Sequence, residues 1–473
     1  MRHPEPVTWF VRRMMPTLVL VGALAFLVRG ASRPLSNTDT YFHLRFGHEF
    51  LHGGWSLWSP GSVSTYATND WLPTQWLPQV LMAALEDVGG LAAVAWLQGL
   101  QFVLLAATLT WVTRARADLL PTAVVTVMTL VACQPSLSMR PQVLSYVLMA
   151  LAVHLWWRAT ETGRLPWVLV PLTWFWATWH GMWPMTVVVG AAGVLALWLT
   201  RHPPRTVLVR AGLVVLGCAV AGAVTPVGPR LYGAVLAVGE RSSYFGEWGP
   251  PDLTSAPGIA LLLVAFPAVL GLRDTEARTV VFVVLGLGMA VASIRTVPLA
   301  AVTLAPFAAA ALQRAIPQER TPPTRAERLG GPAAAVLALV VLAVIVPRTA
   351  DEPNEQPDWV DERMSSLAPG TRVLNEWNDG GFVMWAYPQL DLMMHGYGDT
   401  FTLAELDRNI AIGSLEPGWD VRVRAADPEV AFLRTDSKLA YALRRSGWTV
   451  EHMADDVVLL LPPDESETTA SSP

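Results

Sequence analysis

One carboxylate stands out by its position, because Asp39 follows directly on the first apolar run of the chain. It lies in the polar stretch 37–43 (NTDTYFH), and the run before it covers roughly residues 14–28. Such a run predicts a helix that crosses a bilayer, which puts Asp39 at the membrane–water boundary. At this boundary Asp39 has two possible roles. It is either a general base that takes the proton of a hydroxyl group, or one of two candidates, with Thr38, for the N-cap of a following helix.

Three arginines are candidates for holding a phosphate. Arg140 and Arg295 fall in very short connections between apolar runs, and Arg230 follows another run. An arginine near membrane depth is costly and needs a partner, and its planar fork fits phosphate oxygens. The alternative for Arg140 and Arg295 is an interfacial anchor whose charged head reaches the headgroups.

Other polar and aromatic residues are candidates for binding a substrate. Glu247 beside Trp248 has the chemistry to bind a sugar hydroxyl and stack on its ring, although an ordinary loop acid and an interfacial tryptophan are equally compatible. His180 lies in a tryptophan-dense turn, and Gly396 and Gly398 around His395 are also typical of tight turns. The remaining candidates are His43, Asp70, Gln75 and Trp76.

The histidines and cysteines do not predict a metal centre. His48 and His52 are four residues apart, but His43 points elsewhere and no carboxylate is in register. Cys133 and Cys218 lie inside apolar runs and are expected to pack as small apolar residues. A need for a divalent metal stays open.

The elements that position these residues are predicted to be membrane helices. The chain is 52% hydrophobic and only 15% charged, whereas soluble domains have about 25% charged residues. About eleven runs are candidate spans, which indicates a polytopic α-helical membrane protein. The sequence contains no basic module of the kind that would predict nucleic-acid binding. The runs lie near 14–30, 90–113, 119–137, 142–158, 166–181, 184–200, 207–225, 257–272, 278–294, 297–313 and 331–348. The pair over 166–200 is alternatively a re-entrant hairpin.

Arginine placement predicts the orientation of these spans. With a cytoplasmic N-terminus, one set of loops carries an arginine excess of about two to one, which the positive-inside rule assigns to the cytoplasm. Asp39 and the C-terminal segment then face outward. Lys438 is the only lysine among 33 basic residues, a bias that predicts GC-rich coding and an actinobacterial plasma membrane.

Three regions complete the predicted organisation. Residues 1–348 form the transmembrane domain with a first outer loop over 31–89, residues 349–462 form a small extracytoplasmic α/β domain, and 463–473 form a disordered tail. In the loop, Thr40–Leu51 is predicted to be an amphipathic helix on the membrane, with Tyr41, Phe42, Phe46 and Phe50 on its apolar face. In the α/β domain, Thr371–Asn375 and Val457–Leu461 are predicted strands and Tyr441–Ser446 part of a helix.

Short motifs in a fixed order resemble the GT-C superfamily of integral-membrane glycosyltransferases, and more closely bacterial membrane proteins related to them. They are TDTYFHL over 38–44 with Gly47, Trp71 with Gln75-Trp76-Leu77, Arg140-Pro141-Gln142, His180-Gly181, Thr225-Pro226 with Gly228, Glu247-Trp248, Arg295 with Pro298, and Asn375-Glu376-Trp377 with Gly380-Gly381-Phe382.

This resemblance implies a GT-C-like fold and a sugar transfer outside the membrane. The donor would be a polyprenyl-phosphate sugar, the acceptor an envelope glycan, lipid or protein, and Asp39 the general base. Many members carry two acids in the first loop, but position 37 is Asn here, and Asp70 is a candidate substitute. Two alternatives remain open: a transporter or flippase for a lipid-linked glycan, and a non-catalytic envelope scaffold.

Overall fold

The computed structural model describes residues 10–317, 320–353, 356–454 and 456–463. The predicted tail over 464–473 lies outside these residues. The chain divides into two compact units, one made of 1–35 and 85–352 and the other of 36–84 and 353–473.

Apolar helices build the first unit. Their bounds are a π-helical turn Phe10–Met14, α1 Met15–Ala31, α3 Trp76–Arg114, α4 Leu119–Cys133, α5 Gln142–Thr162, α6 Leu169–Trp179, α7 Met185–Arg201, α8 Arg205–Ala221, α9 Arg230–Arg241, α10 Ala256–Leu270, α11 Ala277–Ala292, α12 Val297–Ala315 and α13 Arg325–Thr349. The 3₁₀ turns here are Gln134–Ser136, Gly222–Val224, Ser242–Tyr244, Gly246–Trp248, Gly271–Asp274 and Ile294–Thr296. Helix α3 begins in the second unit, and its backbone is non-helical at Gly89 and Gly90.

All eleven predicted spans are helical, but the count of eleven is not confirmed. Among the described residues, eight helices are long and apolar enough to cross a membrane. The three others, α6, α7 and α11, have 11, 17 and 16 residues. At 1.5 Å per residue, an 11-residue helix covers only about half of a bilayer core. Helices α6 and α7 both pack on α8, and the Thr173 hydroxyl of α6 donates to the Thr186 hydroxyl of α7 at 3.2 Å.

Helix α12 is the centre of this unit. Helices α4, α5, α10 and α11 pack on it, and most of its residues are buried. Its sequence is rich in alanine, and small residues let helices approach closely inside membranes. At Gly286 of α11, for example, a Cβ would lie 2.6 Å from Leu304 of α12.

The second unit is a five-stranded α/β fold with strand order β2-β1-β3-β5-β4. The strands are β1 Arg372–Asn375, β2 Asp391–Leu392, β3 Val430–Arg434, β4 Thr449–Ala454 and β5 Val457–Leu461; the helices are α2 Thr38–Leu51, α14 Asp358–Ser366, α15 Gly380–Ala386, α16 Leu403–Gly413, α17 Trp419–Ala426 and α18 Lys438–Arg445, with a 3₁₀ turn Gly398–Thr400. Strand β1 is parallel to β2 and β3, and β5 is antiparallel to β3 and β4. The predicted strands and helix of this region are confirmed.

The first loop belongs to this α/β unit, whereas the sequence predicted it as part of the transmembrane domain. Ser64 donates to the Leu392 carbonyl at 2.6 Å, the Thr65 N–H to Asp391 at 2.9 Å, and the Asn69 N–H to the Thr400 carbonyl at 3.0 Å. The apolar face of α2 packs into the core of this unit, with Phe42 and Phe46 buried. The predicted membrane-surface helix is therefore corrected, because the α/β core covers the face assigned to the bilayer.

Candidate functional site

Asp39 is the second residue of helix α2, and Asn37 caps that helix. The Asp39 N–H donates to the Asn37 side-chain oxygen at 2.9 Å. The prediction that Thr38 or Asp39 is the cap is therefore wrong, because Asn37 takes that role. The Asp39 carboxylate is half-buried in the first turn of the helix, where the helix dipole favours a negative charge.

Gly396 makes room for the Asp39 carboxylate. A Cβ at this glycine would lie 2.9 Å from Asp39 Oδ1 and 3.2 Å from Phe42. Neither Gly396 nor Gly398 has a positive φ, so the turn explanation does not account for Gly396. The absence of a side chain there lets the backbone approach the carboxylate closely.

Two glycines of α15 allow close backbone approaches, Gly381 to the start of α2 and Gly380 to the segment that carries Gly396. A Cβ at Gly381 would overlap the Thr38 carbonyl oxygen, and one at Gly380 would overlap the Met394 carbonyl oxygen. Asn375 clamps the same segment: it donates to the Met394 carbonyl at 2.7 Å and accepts from the Met394 N–H at 3.1 Å. The Asn375 and Gly380-Gly381 motif thus fixes the backbone around Asp39.

His395 lies inside the core of the α/β unit and has no exposed surface. Its Nδ1 accepts the Tyr397 N–H at 3.3 Å, and its Nε2 lies 3.5 Å from the Thr400 hydroxyl. Burial lowers the pKa of His395 to about 3, so the ring is neutral. This geometry supports a positioning role that orients the turn at Gly396, rather than the predicted direct contact with substrate.

The other candidates of the first loop have different surroundings. His43 is buried, and its Nδ1 lies 3.1 Å from the Gln79 amide nitrogen. Asp70 is exposed, while Gln75 and Trp76 are half-buried at the start of α3. The rings of His48 and His52 stack with their centroids 5.8 Å apart, as the spacing of the two residues predicts.

In the first unit, three loops bring two arginines onto one carboxylate. Glu247 forms ion pairs with Arg295 and, at 3.7 Å, with Arg140. The Arg295 guanidinium also lies over the Trp248 ring, 5.0 Å from its centroid. Two guanidinium groups therefore face one carboxylate here, and the three charged side chains remain one-fifth to one-third exposed.

Helix starts position this cluster. Arg140 lies two residues before α5, and Arg295 lies in the 3₁₀ turn before α12. The Ile294 N–H donates to the Gly249 carbonyl at 2.9 Å, which joins the loop of Arg295 to the loop of Glu247. Free N–H groups at helix starts add positive potential. The arrangement suits an anion better than a neutral sugar, so Glu247 holds arginines in the position where the sequence suggested sugar contact.

His180 and Arg230 lie elsewhere in the same unit. His180 is buried, with Nδ1 2.9 Å from the Ser145 hydroxyl, which also accepts from the Trp176 indole at 2.8 Å. This network supports a structural role for His180. Arg230 is the exposed first residue of the amphipathic helix α9.

Two site features were missed by sequence reasoning. The cap at Asn37 was readable, because Asn is among the best N-cap residues. The pairing of Glu247 with Arg140 and Arg295 had no local signal, since these residues are more than 40 positions apart in the chain.

Comparisons with known proteins bear on the fold. The sequence matches no protein-family model, and none of the curated proteins matches it. The structure superposes on oligosaccharyltransferase AglB from Archaeoglobus fulgidus, solved with an inhibitory peptide and a dolichol-phosphate, at a TM-score of 0.56 and 12% identity over 96% of this chain and 77% of that chain. It also superposes on ArnT from Cupriavidus metallidurans bound to undecaprenyl phosphate. The TM-score is 0.51 and the identity 14%, over 97% of this chain and 98% of that chain.

The protein has the GT-C fold. A third match, arabinofuranosyltransferase AftD from Mycobacteria, has a TM-score of 0.50 and 17% identity, and covers 96% of this chain but 42% of the larger one. The predicted resemblance is confirmed at the level of the fold. Sequence identities this low do not allow residue roles to be transferred, so the roles of residues in this chain rest on its own geometry.

Proposed function

We propose that the protein is a membrane glycosyltransferase that moves a sugar from a polyprenyl-phosphate donor to an envelope glycan, lipid or protein acceptor. The observation that carries the proposal is the glycine-lined setting of the Asp39 carboxylate, in which Gly396 leaves room for Oδ1. Gly381 makes a second close approach to the same helix turn, at the Thr38 carbonyl oxygen. The GT-C fold and the arginine cluster support the same proposal.

Asp39 acts as general base in this proposal. Its carboxylate accepts the proton of the acceptor hydroxyl while the acceptor oxygen attacks the anomeric carbon of the sugar. The bond from that carbon to the phosphate oxygen breaks, and the electron pair leaves with the polyprenyl phosphate. One displacement of this kind inverts the anomeric centre.

Arg140 and Arg295 bind the donor phosphate. Breaking the glycosidic bond adds negative charge to the phosphate, and preorganised cations stabilise that charge. The two guanidinium groups beside the single carboxylate of Glu247 would supply this positive charge. Arg230 is proposed as a further contact to the polar end of the donor, since it begins an amphipathic helix of the same unit.

The proposed location is the plasma membrane of an actinobacterium, with a cytoplasmic N-terminus and the α/β unit outside. Arg13 lies near the start of α1 and Arg114 at the end of α3. Both pair with Glu327 of α13, and Arg114 also donates to the Thr321 carbonyl just before that helix. Helix α4 begins at this end of the unit and has Arg140 beyond its other end. Helix α12 ends here and has Arg295 just before its start. A 19-residue helix covers about 28 Å, close to a bilayer core.

A complementation experiment tests the proposal. A deletion strain receives the wild-type protein, Asp39→Asn, or the control Asp358→Asn, which changes an exposed acid of the same unit. Mass spectrometry then measures envelope glycans and polyprenyl-phosphate sugars at equal expression. We expect Asp39→Asn to lose one glycan and to accumulate one lipid-linked sugar, while the control behaves as wild type.

The same experiment separates the alternatives. Restoration of a normal profile by Asp39→Asn would exclude Asp39 as the base and favour a scaffold. A flippase would show the lipid-linked sugar trapped on the cytoplasmic face, which protection from an impermeant periodate reagent detects. The same variant position tests the topology: if the α/β unit lies outside, Asp358→Cys should react with an impermeant maleimide in whole cells. Cys133 and Cys218 are buried, so the wild-type protein should give little background labelling.

A further inference from the structure

A cavity with charged residues in its lining lies at the opposite end of the helical unit from the Arg140 and Arg295 cluster. Its volume is about 380 Å³, within the size range of ligand sites. Five apolar helices begin or end around it: the N-terminal helix, α3, α4, α12 and α13. A place where spanning helices end is at the depth of lipid headgroups.

The two carboxylates of this cavity are already neutralised. Glu327 pairs with Arg13 at 2.9 Å and with Arg114 at 2.7 Å. Asp118 accepts from the N–H and the hydroxyl of Thr321 at 2.8 and 3.0 Å, and lies 3.7 Å from Arg114. Arg114 is also buried and donates to two backbone carbonyls. These contacts make a rigid, preorganised rim.

Arg12 is the arginine of this rim that does not take part in the ion pairs. It lines the cavity and is half-buried. Within the part of the chain that the structure describes, its side chain has no ion pair or hydrogen bond. Among the described residues that line the cavity, three arginines face two carboxylates, which leaves one positive charge at a boundary where an uncompensated arginine is costly.

We infer that this cavity binds the phosphodiester headgroup of an anionic membrane phospholipid. The single phosphate charge matches the excess charge on Arg12, and the arginine fork fits phosphate oxygens. Leu119, Leu120 and Ile316 line the rest of the cavity. A small water-soluble phosphate does not use these apolar walls, whereas the glycerol and the first acyl carbons of a lipid bury surface against them.

Binding of a short-chain lipid to the purified full chain tests this inference. Dioctanoyl phosphatidylglycerol is titrated against the protein in neutral detergent and followed by native mass spectrometry and thermal unfolding. We expect retention of one lipid and a rise in Tm. Arg12→Gln should weaken binding about ten- to hundredfold, as expected for the loss of a charge-assisted contact.

Matched controls make the test specific. Arg328→Gln removes the same charge from an exposed site near the start of α13 and should bind as wild type. Dioctanoyl phosphatidylcholine should bind at least tenfold more weakly. Equal binding by Arg12→Gln, equal binding of the choline lipid, or full competition by glycerol 3-phosphate would each overturn the inference, the last by assigning the site to a soluble phosphate. None of these readouts depends on glycosyl transfer.

Discussion

Replacement of Gly396 by alanine isolates the close approach of this glycine to Asp39. The added Cβ would lie 2.9 Å from Oδ1, and an ordinary contact begins at 3.4 Å, so the carboxylate must retreat by about half an ångström. A misplacement of about 1 Å costs roughly 10²-fold in rate. Half of that shift corresponds to about tenfold, or ~1.4 kcal/mol of activation free energy.

Stability should change much less than the rate. The φ of Gly396 is not positive, so alanine adopts the backbone without strain, and a stiffer unfolded chain contributes about 0.4–1 kcal/mol in favour of folding. That gain offsets the tight contact with Phe42 at 3.2 Å. Gly381→Ala should behave in the opposite way, because its Cβ meets the rigid Thr38 backbone, and overpacking of this kind costs about 1–3 kcal/mol.

The assay follows the consumption of the accumulated polyprenyl-phosphate sugar in membranes that contain equal amounts of each variant, alongside thermal unfolding of the purified proteins. Gly413→Ala is the control, since nothing lies within 4 Å of its Cβ. A wild-type rate for Gly396→Ala, in a preparation in which Asp39→Asn is inactive, would refute the reasoning that this glycine sets the position of the base.

Three further outcomes are expected. Asn37→Ala should lower the free energy of unfolding by about 0.5–2 kcal/mol through loss of the cap, whereas Asn37→Asp should retain most of it; denaturant titration measures both. Glu247→Gln leaves Arg140 and Arg295 without their carboxylate and should cost about 1.5–3 kcal/mol, while Glu240→Gln, an exposed acid of the same unit, should leave the Tm unchanged. Because burial lowers the pKa of His395 from 6.5 to about 3, the unfolded chain binds a proton between these pH values and the folded chain does not. The His395 contribution to stability is therefore complete above pH 6.5 and falls toward pH 3 by up to about 1.4 kcal/mol per unit, and His395→Gln should flatten this part of the profile in urea titrations.

The sequence predicted elements whose signal is local. Apolar runs located every long helix of the first unit, and the run Val457–Leu461 located a central strand. The position of Asp39 near a helix start followed from the polar residues after the first run. Such features depend on neighbours within one or two turns of chain, which a single sequence displays.

Contacts between distant residues were not predictable in the same way. Phe42 and Phe46 give a helix face that suits a bilayer and a protein core equally well, so the covering partner stayed hidden. Gly396 resembled a turn glycine because the carboxylate it accommodates is more than 350 positions away. The partners of Glu247 likewise depend on which helix ends meet.

The two-segment construction of the α/β unit has a consequence for biosynthesis. The bond from Ser64 to Leu392 joins residues 328 positions apart, so the strands that cover α2 leave the ribosome long after α2 itself. Contacts of such high sequence separation form late and slowly. Until then, Phe42 and Phe46 lack their core, and an unfinished chain with exposed apolar surface is a substrate for chaperones and proteases. A chain that stops short of β3 lacks part of the core that packs on α2, so the surroundings of the proposed general base are expected to form only after β3 has been translated.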